Sequence, residues 1–279
     1  MKLRNLTAIL GSEVEGLDLA KPLSETERGD VLRALHSRLL LVFRGQPLDE
    51  AQHIEFARNF AEVHYPPVPT RHGGPPEINV LDQVTPRGEG ADLWHHDNTY
   101  LESPPMGSIL RAVKIPAIGG DTCFANMVAA YAALSPALRS FIDRLHAEHD
   151  LTRQLEKAVR RGNSEVDIEA TRKRYPPVVH PLVRIHPETG ARSLFANRNA
   201  TTRVLGLAEE ESDRLLGLLF RHVNRPEFQC RLRWEEGTVA FFDNRCVQHY
   251  AVPDYDERRI MHRITLRGER PVGPTKGPA

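Results

Sequence analysis

The feature that most constrains the fold of this chain is a series of short apolar segments, most of them too short for helices. These segments are rich in β-branched and aromatic residues, and several are joined by turns containing glycine, asparagine or aspartate, a pattern typical of strands. A three-residue connection, Glu235-Glu236-Gly237, predicts a hairpin that delivers the chain to His249. The predicted strands span 78–81, 108–113, 181–185, 228–234, 238–242 and 259–266.

Helices are predicted around these strands. Ser24 with Glu27, and Asp49 with Gln52, have the spacing of capping boxes, which open helices. Many short strands with peripheral helices predict a mostly β protein with a double-stranded β-helix (jelly-roll) core, whose mouth is a common place for a ligand site. The predicted helices span 25–37, 50–60, 126–134, 135–145 and 209–223, a strand at 39–43 separates the first two, and the rest is expected to be extended.

Composition limits the classes of protein that need to be considered. The 279 residues contain no linker-like run and no internal repeat, so we expect a single domain over 1–279. Lys and Arg together number 37, and Asp and Glu together also number 37, so the formal net charge is zero. The chain has no overall positive potential that would attract nucleic acid or an anionic membrane. The apolar stretch at 6–10 is too short for a signal peptide, and no later run could span a bilayer, so a cytoplasmic location is expected. The three cysteines are expected to be free thiols.

The strongest chemical signal is Trp94-His95-His96-Asp97. On an extended segment alternate side chains share a face, so His95 and Asp97 can grip one metal ion while His96 is a bystander. The predicted third ligand is His249, far downstream. Two histidines and one carboxylate on one face of an octahedron leave the opposite face open, which is the arrangement of non-haem Fe(II) oxygenases.

Two arginines accompany this set of ligands. Alternation along 259–266 places Arg259, Met261, Arg263 and Thr265 on one face. Guanidinium groups aimed into a barrel are costly to bury without anionic partners. Either internal acidic residues supply these partners, or the carboxylate of a co-substrate and an anionic substrate do so.

Other interpretations of the histidines remain open. A zinc hydrolase could use the same three ligands, although it would not need the two arginines in that register. His146 and Glu148 form a second His-Xaa-acid pair, but their side chains diverge if the preceding helix continues through them. His180 and His186 are expected to be ordinary turn or strand-end residues.

Taken together, these residues resemble the taurine/α-ketoglutarate dioxygenase family, whose members are Fe(II)- and 2-oxoglutarate-dependent enzymes with a double-stranded β-helix core. The resemblance is colinear over nearly the whole chain. It is carried by residues 11–16, 94–100, 119–122, 180–184, 240–243 and 248–263.

The resemblance implies an enzyme that uses Fe(II), 2-oxoglutarate and O2 to hydroxylate a small anionic substrate, with collapse to an aldehyde and release of sulfite or sulfate as one outcome. A homo-oligomer, a dimer or a tetramer, is also expected. The implied roles are metal binding for His95, Asp97 and His249, 2-oxoglutarate binding for Thr122 and Arg259, and substrate binding for His64, Asn98 and Arg263.

The chain also departs from the pattern of the taurine enzymes. In our alignment Ala200 stands where those enzymes carry a phenylalanine, Ala91 replaces an asparagine, and Pro67 replaces a tyrosine, with Tyr65 close by. Loss of an aromatic wall and of polar contacts would enlarge the pocket and weaken its preference for a small aminosulfonate. Larger sulfonates, alkyl sulfate esters and aryloxyalkanoates are therefore the candidate substrates.

Overall fold

The computed structural model describes residues 1–65, 74–84, 93–160 and 166–274. Its helices are α1 (Glu25–Arg38), α2 (Glu50–Arg58), α3 (Met127–Ala132), α4 (Pro136–Ile142), α5 (Thr152–Arg160), α6 (Ile168–Arg174) and α7 (Glu209–Val223), with a 3-10 turn at Pro226–Phe228. Its strands are β1 (Lys2–Asn5), β2 (Ser12–Glu15), β3 (Leu40–Phe43), β4 (Val63–His64), β5 (Asn79–Gln83), β6 (Gly107–Lys114), β7 (Thr122–Asn126), β8 (His146–His149), β9 (Val178–Pro181), β10 (Val183–Ile185), β11 (Arg192–Leu194), β12 (Thr201–Val204), β13 (Gln229–Leu232), β14 (Val239–Asp243), β15 (Val247–Ala251) and β16 (Arg259–Leu266).

Two sheets face each other around the core that positions the site. The larger sheet has the order β1-β2-β3-β14-β6-β16-β4, with β5 also paired to β16, and the smaller one has the order β13-β7-β15. Leu110 and Phe242 from the larger sheet share one buried cluster with Phe124 and Val247 from the smaller sheet. This double-sheet core is the jelly roll that the sequence predicts.

The other face of the larger sheet is covered by α1 and α2. Leu35 of α1 and Ile54 of α2 belong to the same buried cluster as Phe43, Ile109 and Ile264 of the sheet. Burial of this apolar layer fixes the larger sheet between its two helices and the core. None of the helices in the described residues is both long and apolar enough to cross a membrane.

The helix predictions based on capping residues are confirmed. Ser24 and Glu27 form a capping box at the start of α1, and Asp49 and Gln52 form one at the start of α2. The 209–223 prediction coincides with α7, while α3 and α4 are shorter than predicted. Together with α7, the helices α3 and α4 build a separate apolar cluster beside β10, β11 and β12.

The predicted hairpin between 228–234 and 238–242 is wrong. β13 pairs with β7 in the smaller sheet, whereas β14 pairs with β3 and β6 in the larger sheet. Because β14 has a partner on each side, no edge is left for β13, and the turn at Gly237, whose φ is 75°, carries the chain from one sheet to the other.

Three further predictions are corrected. The strand predicted at 181–185 is divided between β9 and β10, which pair with β8 and β11 respectively. The segments of α5 and α6 were expected to be extended but are helical. The possibility that a helix continues through His146 and Glu148 is excluded, because both lie on β8.

Candidate metal centre and active site

The structure brings the two parts of the predicted ligand set together through a short backbone bridge. The His95 amide donates to the His249 carbonyl at 3.1 Å, and the His249 amide donates to the His95 carbonyl at 2.9 Å. Nε2 of each imidazole lies 3.8 Å from Oδ1 of Asp97, and the ligating atoms of all three residues lie within 4.8 Å of one another. This spacing is open enough to accept a cation between them, and we call the three residues the candidate metal centre.

Both imidazoles of the candidate metal centre are neutral, and a hydrogen bond fixes the tautomer of His95. Nδ1 of His95 lies 2.7 Å from the Leu93 carbonyl, which can only accept, so this nitrogen carries the proton and Nε2 is left as a lone-pair donor. Burial lowers the pKa of His95 and lowers the pKa of His249 to about 3. Both rings are therefore neutral at pH 7, as metal ligation requires.

The carboxylate of Asp97 is charged and fixed on both oxygens. Ser108 donates to Oδ2 at 2.7 Å, and Arg263 donates to Oδ1 at 2.8 Å. Burial alone would raise the pKa of Asp97, but Arg263 and the two neighbouring histidines outweigh that effect and hold the pKa below its usual range. Arg263 thus reaches the same oxygen that lies between the two imidazoles, which places a positive charge directly beside the centre.

Arg259 lies under the turn that precedes β7. Its Nε donates to the Gly120 carbonyl at 3.0 Å, and only 7% of the residue is exposed. A Cβ at position 120 would come within 3.1 Å of the Arg259 side chain, so glycine permits this close approach. Within the described residues no carboxylate lies within ion-pair distance of Arg259. Asp121 acts on the buried guanidinium only from beyond that distance, and desolvation by burial still lowers the pKa of Arg259.

Thr122 is the first residue of β7. It is buried, and its Oγ1 accepts a hydrogen bond of 2.9 Å from Nε1 of Trp234. Thr122 is two residues after Gly120, whose carbonyl accepts from Arg259. Its assignment to 2-oxoglutarate remains a prediction.

His64 and Asn98, which are also assigned to the substrate, lie at different distances from Asp97 along the chain and in the sheet. Thr265 pairs with Ser108 of β6 on one side and with His64 of β4 on the other. Paired side chains on neighbouring strands point to the same face of the sheet, and neighbouring strands are ~4.8 Å apart. His64 is therefore on the same face as Ser108, which bonds Asp97, and lies two strands or ~10 Å away from it. Asn98 follows Asp97 with a φ of 51°, which turns the chain away from the strand direction.

His96 and His146 do not join the candidate metal centre. The ring of His96 packs against Phe195 with the centroids 4.9 Å apart, consistent with its predicted place as a bystander. Glu148 accepts hydrogen bonds from Thr202 and Arg203 rather than pairing with His146. The second His-Xaa-acid pair therefore forms no metal cluster among the residues that the structure describes.

A second group of two histidines and one aspartate has no counterpart among the sequence predictions. It consists of His36, His186 and Asp243. Nε2 of His186 is hydrogen-bonded to Asp243 at 2.9 Å, and Arg245 donates to both oxygens of the same carboxylate. We call these residues, together with Glu188, the Asp243 cluster. The Arg245 amide also donates to Oδ1 at 3.0 Å, so the carboxylate accepts four hydrogen bonds and has no lone pair left for a cation.

A signal for the Asp243 cluster is present in the sequence. Asp243, Asn244 and Arg245 are three consecutive polar residues between the apolar strands β14 and β15, and all three are buried. Polar groups inside a core must find partners. His186, which was expected to be an ordinary strand-end residue, is one of those partners.

Of the departures from the taurine enzymes, only one can be located. Ala200 is buried, and its carbonyl accepts from the amide of Asp150. Pro67 and Ala91 lie outside the described residues. The three cysteines are free thiols, as expected, and burial raises the pKa of each.

Comparisons with known proteins identify the family. Residues 2–265 match the family described as taurine catabolism dioxygenase TauD, TfdA family. The chain belongs to this family, as the sequence predicts.

Individual relatives agree with this membership. An α-ketoglutarate-dependent sulfate ester dioxygenase of Pseudomonas putida is 38% identical, with 95% of this chain and 88% of the relative covered. An alkylsulfatase of Acinetobacter baylyi is 35% identical, with 98% and 87% covered. An α-ketoglutarate-dependent 2,4-dichlorophenoxyacetate dioxygenase of Cupriavidus pinatubonensis is 36% identical, with 93% and 95% covered.

Solved structures share the fold over nearly the whole chain. A taurine dioxygenase from Burkholderia xenovorans superposes with a TM-score of 0.84 at 37% identity, with 98% of this chain and 91% of that chain covered. The structure of AAD-2 in complex with Mn(II) and N-oxalylglycine has a TM-score of 0.84 at 30% identity, with 97% and 98% covered. The predicted jelly-roll fold and the predicted enzyme class, a 2-oxoglutarate-dependent dioxygenase, are confirmed, and the family implies Fe(II) and O2 with it.

Proposed function

We propose that this dioxygenase hydroxylates a small sulfate ester or sulfonate, at the carbon that carries the leaving group. The observation that carries the proposal is the position of Arg263, whose guanidinium lies beside the candidate metal centre and can bind an anion next to the reacting carbon. The relatives that act on sulfate esters support this choice of substrate.

The three residues of the candidate metal centre fit Fe(II). Two neutral imidazole nitrogens and one charged carboxylate oxygen form the donor set that non-haem Fe(II) oxygenases use, and they would hold the ion on one face only. With 2-oxoglutarate and O2, the bound iron supplies the oxidising chemistry that hydroxylates an unactivated carbon. Ser108 would keep the second oxygen of Asp97 from rotating into the open face.

Arg259 is the proposed anchor of 2-oxoglutarate. Only its Nε has a hydrogen bond in the described residues, and a carboxylate would supply the direct ion pair that Asp121 does not reach. A charge-assisted hydrogen bond of this kind contributes about 1.5–3 kcal/mol. Thr122 would add a hydroxyl donor, because its oxygen already accepts from Trp234 and its hydrogen can point to the ligand.

Arg263 is the proposed anchor of the substrate, with His64 and Asn98 around it. Burial lowers the pKa of His64, so its ring is neutral and would donate one N–H to an anionic oxygen. The positive charge of Arg263 then sets the preference for a sulfate, a sulfonate or a carboxylate.

The products follow from the position of hydroxylation. For a sulfate ester, a hydroxyl on the carbon next to the ester oxygen gives an unstable intermediate that collapses to an aldehyde and sulfate. The balanced reaction consumes the ester, 2-oxoglutarate and O2 and yields the aldehyde, hydrogen sulfate, succinate and carbon dioxide. A sulfonate would release sulfite in the same way.

Aryloxyalkanoates are a second candidate class of substrate. The relative from Cupriavidus pinatubonensis, which acts on 2,4-dichlorophenoxyacetate, has nearly the same identity to this chain as the alkylsulfatase. A zinc hydrolase is the less favoured alternative, and it requires turnover without 2-oxoglutarate.

The proposal is tested by measuring succinate formation with a panel of alkyl sulfates, alkyl sulfonates and aryloxy acids. We expect a sulfate ester or a sulfonate to have the highest kcat/KM. At saturating metal, Arg263→Ala is expected to raise the substrate KM about 10- to 150-fold, the equivalent of one lost charge-assisted contact. Arg267→Ala is the control, because Arg267 is exposed and pairs with Glu62. An unchanged KM in Arg263→Ala, or sulfate release without 2-oxoglutarate, would contradict the proposal.

We further propose that residues 1–279 act as one catalytic domain, in the cytoplasm, as a homo-dimer or homo-tetramer that does not bind nucleic acid. The balanced charge of the chain supports the last point. Light scattering of the purified protein tests the oligomeric state, and a monomer would contradict it.

A further inference from the structure

The carboxylate ligand Asp97 lies where no strand ladder holds the backbone. The only ladder contact of its segment, among the described residues, is the isolated bridge between His95 and His249. After Asp97 the chain turns, with Asn98 in the left-handed region at φ 51°. Another group must therefore fix the main chain of Asp97.

The side chain of Asn244 supplies those contacts. Its Oδ1 accepts from the Asp97 amide at 2.7 Å, and its Nδ2 donates to the Asp97 carbonyl at 3.1 Å and to the Pro105 carbonyl at 3.0 Å. The backbone amide of Asn244 also donates to the Met106 carbonyl at 2.9 Å. One fully buried side chain thus holds both main-chain groups of Asp97 and the far end of the same loop.

Asn244 lies in the chain between Asp243 and Arg245, whose side chains are bonded to each other. Arg245 donates to both oxygens of Asp243 at 2.9 and 2.7 Å, and to both oxygens of Glu188 at 3.0 and 2.8 Å. His186 adds a further bond to Asp243. The ion pair between Arg245 and Asp243 is buried, whereas 46% of the Glu188 side chain is exposed. The buried pair holds the turn from which the amide of Asn244 reaches Asp97.

We propose that Asn244 is a positioning residue for the metal: it sets the direction of the Asp97 carboxylate, and through it the affinity and geometry of the ion. The inference rests on the proposed metal site. Its physical basis is that a ligand that can swing freely loses orientation entropy on binding, whereas one held by its neighbours does not.

The test is a titration of the full-length, chelator-treated protein with Mn(II), followed by electron paramagnetic resonance. Asn244→Ala removes three hydrogen bonds and is expected to weaken Mn(II) binding by about 10- to 100-fold, as for other partners behind a metal ligand. Asn244→Asp keeps the oxygen that accepts from the Asp97 amide, but it places a second oxygen against the carbonyls of Asp97 and Pro105. It is also expected to weaken Mn(II) binding, and it serves as the test variant if Asn244→Ala does not fold.

Asn126→Ala is the matched control. The Asn126 side chain is also buried and makes three hydrogen bonds, to the Ile9 carbonyl and from the amides of Val128 and Ala129, but it has no bond to Asp97. We expect its Mn(II) affinity to stay within twofold of wild type. The visible spectrum of the Co(II)-loaded protein should change in the Asn244 variants and not in this control, which separates positioning from a loss of stability.

The outcomes distinguish this inference from the proposed function. If the wild-type chain binds no Mn(II), the proposed metal site itself fails. If the wild type binds one ion and a folded Asn244 variant binds it within twofold as tightly, the site stands and the inference is overturned. An equal loss of affinity in Asn126→Ala would also overturn it, because the effect would then reflect general destabilisation.

Discussion

The candidate metal centre and the Asp243 cluster each contain two histidines and one aspartate, but their atoms are spaced differently. In the centre, Nε2 of His95 and of His249 lies 3.8 Å from Oδ1 of Asp97, too far for a hydrogen bond. In the cluster, His186 is hydrogen-bonded to Asp243 at 2.9 Å. The same residue types therefore form an open set of ligands in one place and a closed hydrogen-bonded network in the other.

The position of the arginine explains the difference. Arg245 covers both oxygens of Asp243, so the charge of that carboxylate is neutralised inside the protein. Arg263 reaches only one oxygen of Asp97, and 19% of its side chain remains exposed. A cation can approach the first carboxylate only by displacing a buried guanidinium, whereas the second carboxylate is accessible to one. Residue composition alone would not separate the two clusters.

The largest effect is expected on stability. Asp243→Asn leaves the buried Arg245 without its strongest countercharge and is expected to lower the free energy of unfolding by about 3–5 kcal/mol. Asp97→Asn is the matched change, and it should cost less because Arg263 can turn to solvent. Denaturant unfolding in the presence of a chelator measures both. Equal losses would contradict the distinction between a structural network and an open ligand set.

A smaller effect is expected on co-substrate binding. Arg259→Ala should raise the KM for 2-oxoglutarate about 10- to 150-fold, from the loss of one charge-assisted contact, while metal affinity stays within twofold. The neighbouring Arg258 is a convenient control, since it is exposed and paired with Asp82. If Arg258→Ala and Arg259→Ala had the same KM, neither arginine would be the anchor.

A third effect, of similar size in free energy, is expected from pH. In the metal-free protein the pKa of His249 is lowered by burial from 6.5 to about 3. The folded state binds the proton of His249 more weakly than the unfolded state does. The free energy of unfolding is therefore highest above about pH 6.5 and falls as the pH falls toward 3, and the loss at pH 5 is ~2 kcal/mol. Asp243 has a pKa below its ordinary 3.8, so its contribution persists until the pH falls below about 4.

Unfolding free energies of wild type and His249→Phe, measured from pH 7 to 4.5 with a chelator, test this prediction. Other buried histidines titrate in both proteins, so the difference between the two curves isolates His249. The variant should lose less stability than wild type between pH 6.5 and 5. Parallel curves would show that His249 is not held neutral by burial.

Local sequence patterns predict those parts of the molecule that depend on neighbouring residues. The alternation along 259–266 corresponds to β16, and the amphipathic pattern at 209–223 corresponds to α7. The two-residue spacing of His95 and Asp97 favours a shared ligand site, although the prediction also needed His249 and the arginines further along the chain. In each case the determining contacts lie within one element or one turn.

Features that depend on distant pairing are not predictable in this way. A strand at 229–232 looks the same in the sequence whether it pairs with its neighbour or with β7, and only the lack of a free edge on β14 decides between them. Asn244 stands out in the sequence only as part of the segment leading to His249, because its partner Asp97 is 147 residues away. Long-range hydrogen bonds leave no periodic trace in the sequence.

The number of metal ions bound by the chain tests the central claim most directly. Mn(II) is a suitable probe, because a structural relative has been solved with it. We predict one ion per chain in wild type, none in His249→Ala, and one in His186→Ala. Two ions in the wild type, or loss of the ion in His186→Ala with retention in His249→Ala, would contradict the assignment of the open cluster as the metal site.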